Sequence, residues 1–161
     1  MTSGIQTIGI IGAGQMGSGI AHVCALAGFN VLLYDVAPDR TKAGIATING
    51  NMARQVTKKV ITEDQRKAAL KNIAAAEKLD ALSDCDLVIE AIVERLEAKQ
   101  TLFAALESVV SPDAVLATNT SSLSVAAIGG GRTHPERVVG IHFFNPAPVM
   151  PLVEIIPSIA T

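Results

Sequence analysis

The sequence predicts an α/β fold in which a mostly parallel sheet carries helices on both faces, and three observations predict it. Short, near-continuous apolar runs recur along the chain, as in parallel strands covered on both sides. Between them lie stretches with apolar residues at helical spacing. The two kinds alternate from the start: the apolar run Ile8 to Ile11, the turn Gly12-Ala13-Gly14-Gln15-Met16-Gly17, an Ala-rich helical stretch stopped by Gly28, a second apolar run Val31 to Tyr34, then Asp35. Over 161 residues this is the pattern of one doubly wound, Rossmann-type domain spanning 1–161.

A G-x-G-x-x-G alone is weak, but here it follows a strand and opens a helix, which supplies a mechanism. Gly12 permits the tight turn, Gly14 lets a pyrophosphate approach the backbone, and Gly17 lets the helix pack against the strand. The free N–H groups and dipole of the helix start favour an anion. Asp35, 18 residues after Gly17, stands where a carboxylate accepts hydrogen bonds from a ribose diol. It would repel a 2′-phosphate, which argues for NAD over NADP. The alternative is a glycine turn that binds nothing.

Taken in order, Ile5 to Ile11 reads as the first, central strand. Gln15 to Ala27 reads as a helix burying Ile20, Val23, Cys24 and Ala27, with His22 between stripe positions and partly exposed. After the strand Val31 to Tyr34, Pro38 suits a first helical turn. That helix runs to about Val60 on Ile45, Ile48, Met52 and Val56, although Gly44 and Gly50 each cost roughly 1 kcal/mol against Ala. Its basic end, Arg54, Lys58 and Lys59, is either a solvated terminus or a phosphate contact, and spacing favours the former. Thr62 caps a helix Glu63 to Asn72 whose first turn carries acids. Ile73 to Ala76 is a short strand, Leu79 to Leu82 a helical turn, and Leu87 to Ala91 the fourth strand. Glu94 to Val110 is an amphipathic helix with Leu96, Leu102, Phe103, Leu106 and Val110 on one side. Val115 to Ala117 is the fifth strand, and the polar Thr118-Asn119-Thr120-Ser121-Ser122 follows it. Ligands bind beyond the carboxyl ends of strands in open α/β sheets, so this loop lies where chemistry would occur. Capping of a helix at Ser124 to Ile128 is the bland role for Ser121 or Ser122. Past Gly129-Gly130-Gly131 and an exposed His134, Val138 to His142 is the sixth strand. A proline-rich bend leads to a returning strand, Leu152 to Ile156.

Apolar residues make up 49% of the chain, aromatic ones 3%, and the formal charge is −2. With no basic run longer than Lys58-Lys59, nucleic acid is not expected as a partner. No apolar stretch reaches membrane-spanning length, so no membrane is expected. Cys24 and Cys85 read as reduced thiols of a cytoplasmic protein, and an opening that runs straight into a strand argues against a signal peptide.

His142 ends a strand on the same sheet edge as Ser121, and Glu154 lies twelve residues on, across the proline bend. If the last strand returns beside the sixth, imidazole and carboxylate meet. A carboxylate fixes the tautomer and raises the basicity of a histidine, as a general base near neutral pH requires. Such a base, with Ser121 orienting the reacting oxygen, would pair with hydride departure to a nicotinamide. A purely structural His–Glu hydrogen bond matches the residues equally well. No third ligand has metal-site spacing, so no metal is expected.

Four stretches, GIIGAGQMGSGIA, VIEAIVERLEAKQTLF, TNTSSLSV and GIHFFNPAPVMPLVEIIPSIAT, resemble the NAD-binding domain of L-3-hydroxyacyl-CoA dehydrogenases, closest to the bacterial 3-hydroxybutyryl-CoA type. The resemblance implies reversible oxidation of an L-3-hydroxyacyl-CoA to the 3-ketoacyl-CoA, part of fatty acid metabolism. It implies that Gly12, Ala13, Gly14, Gln15, Met16 and Gly17 hold the pyrophosphate and Asp35 the adenosine ribose. Glu94, Lys99 and Asn119 would belong to the cofactor site, with Ser121 near both cofactor and substrate hydroxyl. His142 is implied as the base, Glu154 as its partner, Asn145 as a residue near the nicotinamide and substrate, and Lys58 as a contact for the CoA moiety. Asn51 stands where some members carry serine, and Pro151 where many carry lysine. Members continue into a helical second domain that completes the active site and makes a homodimer; the resemblance therefore implies an isolated cofactor domain, inactive alone. Two other readings are a non-catalytic NAD-binding module and a crystallin-like structural protein. The second is disfavoured because Ser121, His142, Asn145 and Glu154 are all present. A related hydroxyacid dehydrogenase is disfavoured by the HFFNP stretch.

Overall fold

The computed structural model describes residues 4–161, and in it the strands assemble into one seven-stranded sheet. The elements are β1 (Thr7–Ile11), α1 (Gln15–Leu26), β2 (Asn30–Tyr34), α2 (Pro38–Thr57), α3 (Glu63–Lys71), β3 (Ile73–Ala76), a 3₁₀ turn Leu79–Leu82, β4 (Leu87–Glu90), α4 (Leu96–Val109), β5 (Val115–Thr118), α5 (Val125–Gly129), a 3₁₀ turn Pro135–Arg137, β6 (Val138–Phe143) and β7 (Val153–Pro157). The strand order is β3-β2-β1-β4-β5-β6-β7. Every pairing is parallel except β6 with β7. The chain thus winds outward from β1 in both directions, as expected, and leaves a crevice where the order reverses between β1 and β4.

The period of two along each strand divides the core. Leu87 and Ile89 of β4 pack on one face with Ile20, Ala21 and Cys24 of α1, Ile48 and Met52 of α2, and Ala69 of α3. Val88 packs on the other face with Phe103 and Leu106 of α4, Ile128 of α5 and Leu82.

Local chemistry explains most boundaries. Pro38 opens α2, and Thr62 caps α3 by a capping box, its hydroxyl accepting from Gln65 N while the Gln65 side chain accepts from Thr62 N. Several expectations shift. The first strand begins at Thr7 rather than Ile5. The second helix stops at Thr57, and Lys59 just beyond takes φ 60°. The helix after β4 starts at Leu96 rather than Glu94, because Val93 to Arg95 form a turn. Ser124 itself caps α5, accepting from Ala127 N, so Ser121 and Ser122 are not the caps.

Two corrections concern α1. His22 is buried, not partly exposed, and Ala27 is exposed, not buried. The helix lies between the sheet and α2 with α3, so its buried arc is wider than one apolar stripe and takes in Ala21 and His22. Gly44, unfavourable by propensity, has a packing reason: a Cβ there would lie 2.7 Å from Ser18 Oγ of α1. His134 is exposed as expected. Cys24 and Cys85 are free and buried, and burial pushes their thiols up to about 12 and about 11, the aspartates beside Cys85 adding to its shift. Among the described residues no helix is long and apolar enough to cross a membrane.

Candidate functional site

The first part of the site is the turn from β1 into α1. Gly12 has φ 100°, and a Cβ on it would meet Ala91 O at 2.5 Å. At Gly17 a Cβ would fall 1.6 Å from Gly12 O, so the first turn of α1 closes on the turn's own backbone. Gly14 differs: a Cβ on it would meet nothing within 4 Å. Gly14 is also the N-cap of α1, without a side-chain cap and with no acid in the first turn. An open cradle at an uncapped helix start is what a pyrophosphate requires, so the residues present fit a dinucleotide.

Asp35, at the end of β2, is held against this turn. Its Oδ2 accepts from Ala13 N and its Oδ1 from Ala37 N, each at 2.9 Å. The carboxylate is buried and fixed beside the turn, where a ribose acceptor is expected.

The second part is built at the carboxyl ends of β4, β5 and β6. His142 Nδ1 lies 3.0 Å from Glu154 Oε1, because the antiparallel β6–β7 register sets these residues opposite each other. The imidazole is 16% exposed and the carboxylate 49%. Phe144 tilts against the ring with centroids 4.5 Å apart. Asn119 Oδ1 accepts from Phe143 N at 2.8 Å. Asn145 Oδ1 accepts from Gln15 Nε2 at 3.2 Å, which joins the glycine turn to the chain just beyond His142. The peptide between Asn145 and Pro146 is cis. Ser121 is exposed in the turn after β5.

A cleft of about 690 Å³ adjoins the glycine turn and runs between α1 and α2 beneath the proline bend. Gln15 and Asn145 line one end, and Asn51, Arg54 and Lys58 of the α2 terminus line the other. Lys58, the expected contact for the CoA moiety, thus lines the same cleft as Gln15 and Asn145, while neither His142 nor Glu154 is among its lining residues. His22 and Gln55 lie at its wall, His22 Nε2 2.8 Å from Gln55 Oε1.

Two expected cofactor residues take places that the sequence did not indicate. Lys99 Nζ is buried and bonded to both oxygens of Glu90 at 2.7 Å. Its ammonium is thus paired with the last residue of β4. Glu94 is exposed, and its Oε1 accepts from Thr120 Oγ1. Glu90, Thr118 and Thr120 were not singled out from sequence. Glu90 is fully buried, takes the Thr118 hydroxyl as well as Lys99, and accepts from Ile92 N. The available signal was a carboxylate closing the apolar run Leu87-Val88-Ile89, since a buried acid requires a partner.

Comparison with known proteins agrees with this geometry. The family model described as 3-hydroxyacyl-CoA dehydrogenase, NAD binding domain, matches residues 7–161. The chain is 57% identical over 161 residues to a 3-hydroxybutyryl-CoA dehydrogenase of Bradyrhizobium diazoefficiens, covering 100% of this chain and 55% of that one. It is 45% identical over 162 residues to a 3-hydroxybutyryl-CoA dehydrogenase of Mycobacterium tuberculosis, covering 100% and 57%. The crystal structure of 3-hydroxybutyryl-CoA dehydrogenase from Escherichia coli K12 superposes with a TM-score of 0.95 at 46% identity, over 98% of this chain and 33% of that one. The chain thus spans about half the length of the Bradyrhizobium and Mycobacterium relatives. With that family model matching residues 7–161, and with the open glycine turn, the Asp35 carboxylate bonded to it and the His142–Glu154 pair all present, the chain belongs to the family of 3-hydroxyacyl-CoA dehydrogenase NAD-binding domains.

Proposed function

We propose that this chain is the cofactor-binding part of a cytoplasmic enzyme that interconverts an L-3-hydroxyacyl-CoA, of the 3-hydroxybutyryl-CoA type, and its 3-ketoacyl-CoA. The observation that carries the reading is the His142–Glu154 pair at the carboxyl end of β6. Bound NAD supplies the hydride acceptor for carbon 3 of the alcohol. Glu154 holds Nδ1–H, which leaves Nε2 unprotonated and available for the substrate hydroxyl proton. As the C–H bond electrons leave, the O–H electrons form the carbonyl, and the imidazolium on His142 is stabilised by Glu154. Ser121 orients the reacting oxygen. Lys58, which lines the cleft, holds the CoA end of the substrate. A helical domain of the kind the resemblance implies would complete the acyl pocket and make a homodimer.

The test is His142→Ala in the natural full-length enzyme. Turnover should fall by about 10²–10⁴-fold, the usual contribution of general acid–base catalysis. NADH affinity should stay within about twofold, because the cradle does not include His142. Turnover close to that of the wild type would remove the acid–base assignment. NADH binding without turnover in the intact wild-type enzyme would instead make the pair structural.

A further inference from the structure

We propose that Asn119 is a positioning residue for the acid–base pair: its side chain fixes the strand end that carries His142. The inference rests on the reading of His142 as the acid–base group.

The β5–β6 ladder ends early. It pairs Leu116 with Val138, Ala117 with Val139 and Thr118 with Gly140, and stops there. β6 continues through Ile141, His142 and Phe143, past the end of β5. On that length its only ladder partner among the described residues is β7, which pairs Ile141 with Ile155, His142 with Glu154 and Phe143 with Val153. β7 is the outermost strand, and all five of its residues are exposed. A strand end held from one side by an exposed edge strand is a loose mount for a group that must be placed accurately.

Asn119 supplies the missing side. It is the first residue after β5; its N–H donates to Glu90 O at 2.9 Å, and its Oδ1 accepts from Phe143 N at 2.8 Å. One residue therefore ties β4 to β6 across the end of β5. A backbone N–H can only meet the oxygen of the amide, so this contact sets the orientation of the side chain. Phe143 N belongs to the peptide plane leaving His142, so holding it restricts the ψ angle of His142 and with it the direction of its Cβ.

Asn119 is itself firmly held. Thr118 before it is fully buried and bonded to Glu90, which Lys99 also holds. Thr120 after it is buried, bonded to Glu94, and accepts from Leu123 N at 2.9 Å. Asn119 is expected in the cofactor site, and its side-chain oxygen is engaged by the Phe143 N–H. A misplacement of about 1 Å costs on the order of 10²-fold in rate, so loosening this strut should be read in turnover.

In the natural full-length enzyme, Asn119→Ala should lower kcat by about ten- to a hundredfold, with KM for the hydroxyacyl thioester and Kd for NADH within about twofold. Asn119→Asp keeps an oxygen at the same reach and should recover kcat to within about fivefold of wild type. Asn119→Ser, too short to reach Phe143 N, should behave like the alanine variant and replaces it should that variant not fold. A rise in Kd for NADH in step with the loss of kcat would make Asn119 a cofactor ligand and overturn the proposal, as would an alanine variant with wild-type kcat. A second readout uses the 161-residue chain without turnover. In ring ¹⁵N spectra, wild type and Asn119→Asp should show the His142 Nδ1–H tautomer, and Asn119→Ala and Asn119→Ser a mixture. Identical ring spectra in all four proteins would overturn the strut, whatever the outcome for the reaction itself.

Discussion

His22 shows what a single side chain experiences at this site. It is 1% exposed; its Nε2 meets Gln55 Oε1, and its Nδ1 has no partner among the described residues. Desolvation lowers its pKa below the ordinary 6.5, and the bond to Gln55 opposes that shift only in part. The folded chain thus keeps His22 neutral where the unfolded chain takes a proton. Its contribution to stability is complete above the unfolded value near 6.5 and is lost as pH falls from there through the depressed folded value. Thermal melts between pH 7.5 and 5.5 should therefore show a steeper loss for wild type than for His22→Gln, by at most about 1.4 kcal/mol per pH unit. Parallel pH profiles would show that the ring is not held neutral. Apolar spacing could not reveal this burial, because it marks one stripe of a helix and α1 is covered over more than one. Asp35 was legible for the opposite reason. Its use depends on distance from the glycine turn along the chain, and the bond from Ala13 N confirms the contact with that turn.

At the scale of elements, the three glycines of the turn do different work, and substitution separates them. Gly17→Ala places a methyl 1.6 Å from Gly12 O, a clash with backbone that no rotamer relieves. The apo protein should lose about 1–3 kcal/mol or more, measured by urea unfolding. A Gly17→Ala variant as stable as the wild type would mean that the turn is not packed as described. Gly14 lies at φ −75°, ψ −166°, which any residue adopts, and its Cβ direction is open. Gly14→Val should leave apo stability within about 0.5 kcal/mol and weaken NADH binding at least tenfold, the side chain occupying the pyrophosphate cradle. The motif already assigned packing to Gly17 and the open approach to Gly14, and the contacts agree: a Cβ meets backbone at Gly17 and nothing at Gly14. Element ends were read less well for a related reason. Glu94 suited a helix start by propensity, yet it accepts the Thr120 hydroxyl, and the helix begins two residues later.

For the whole molecule, the arrangement couples cofactor to stability. The glycine turn leaves β1 at the reversal of strand order, with Asp35 at the end of the neighbouring β2 and β4 on the other side. A ligand bound there only in the folded state stabilises it by mass action, about 2.7 kcal/mol at a hundredfold excess over Kd. NADH should raise Tm in a concentration-dependent way, and NADPH at equal concentration should raise it less, because the fixed Asp35 carboxylate opposes a 2′-phosphate. An equal or larger shift with NADPH would refute the cofactor preference.

The residues by themselves determined the doubly wound class, the order of its elements, the glycine cradle and its acid, because those rest on period and on spacing within a few dozen positions. The meeting of His142 with Glu154 was left open by the bare residues and rested on a resemblance. Only the tertiary structure decided it, through an antiparallel register that sets the two opposite one another. It also decided the burial of Lys99 on Glu90 and the tie from Asn119 to Phe143. The physical reason is the same in each case: these contacts join residues on different strands or across a strand–helix layer, and no local periodicity encodes which side chains the packed sheet brings within hydrogen-bond reach.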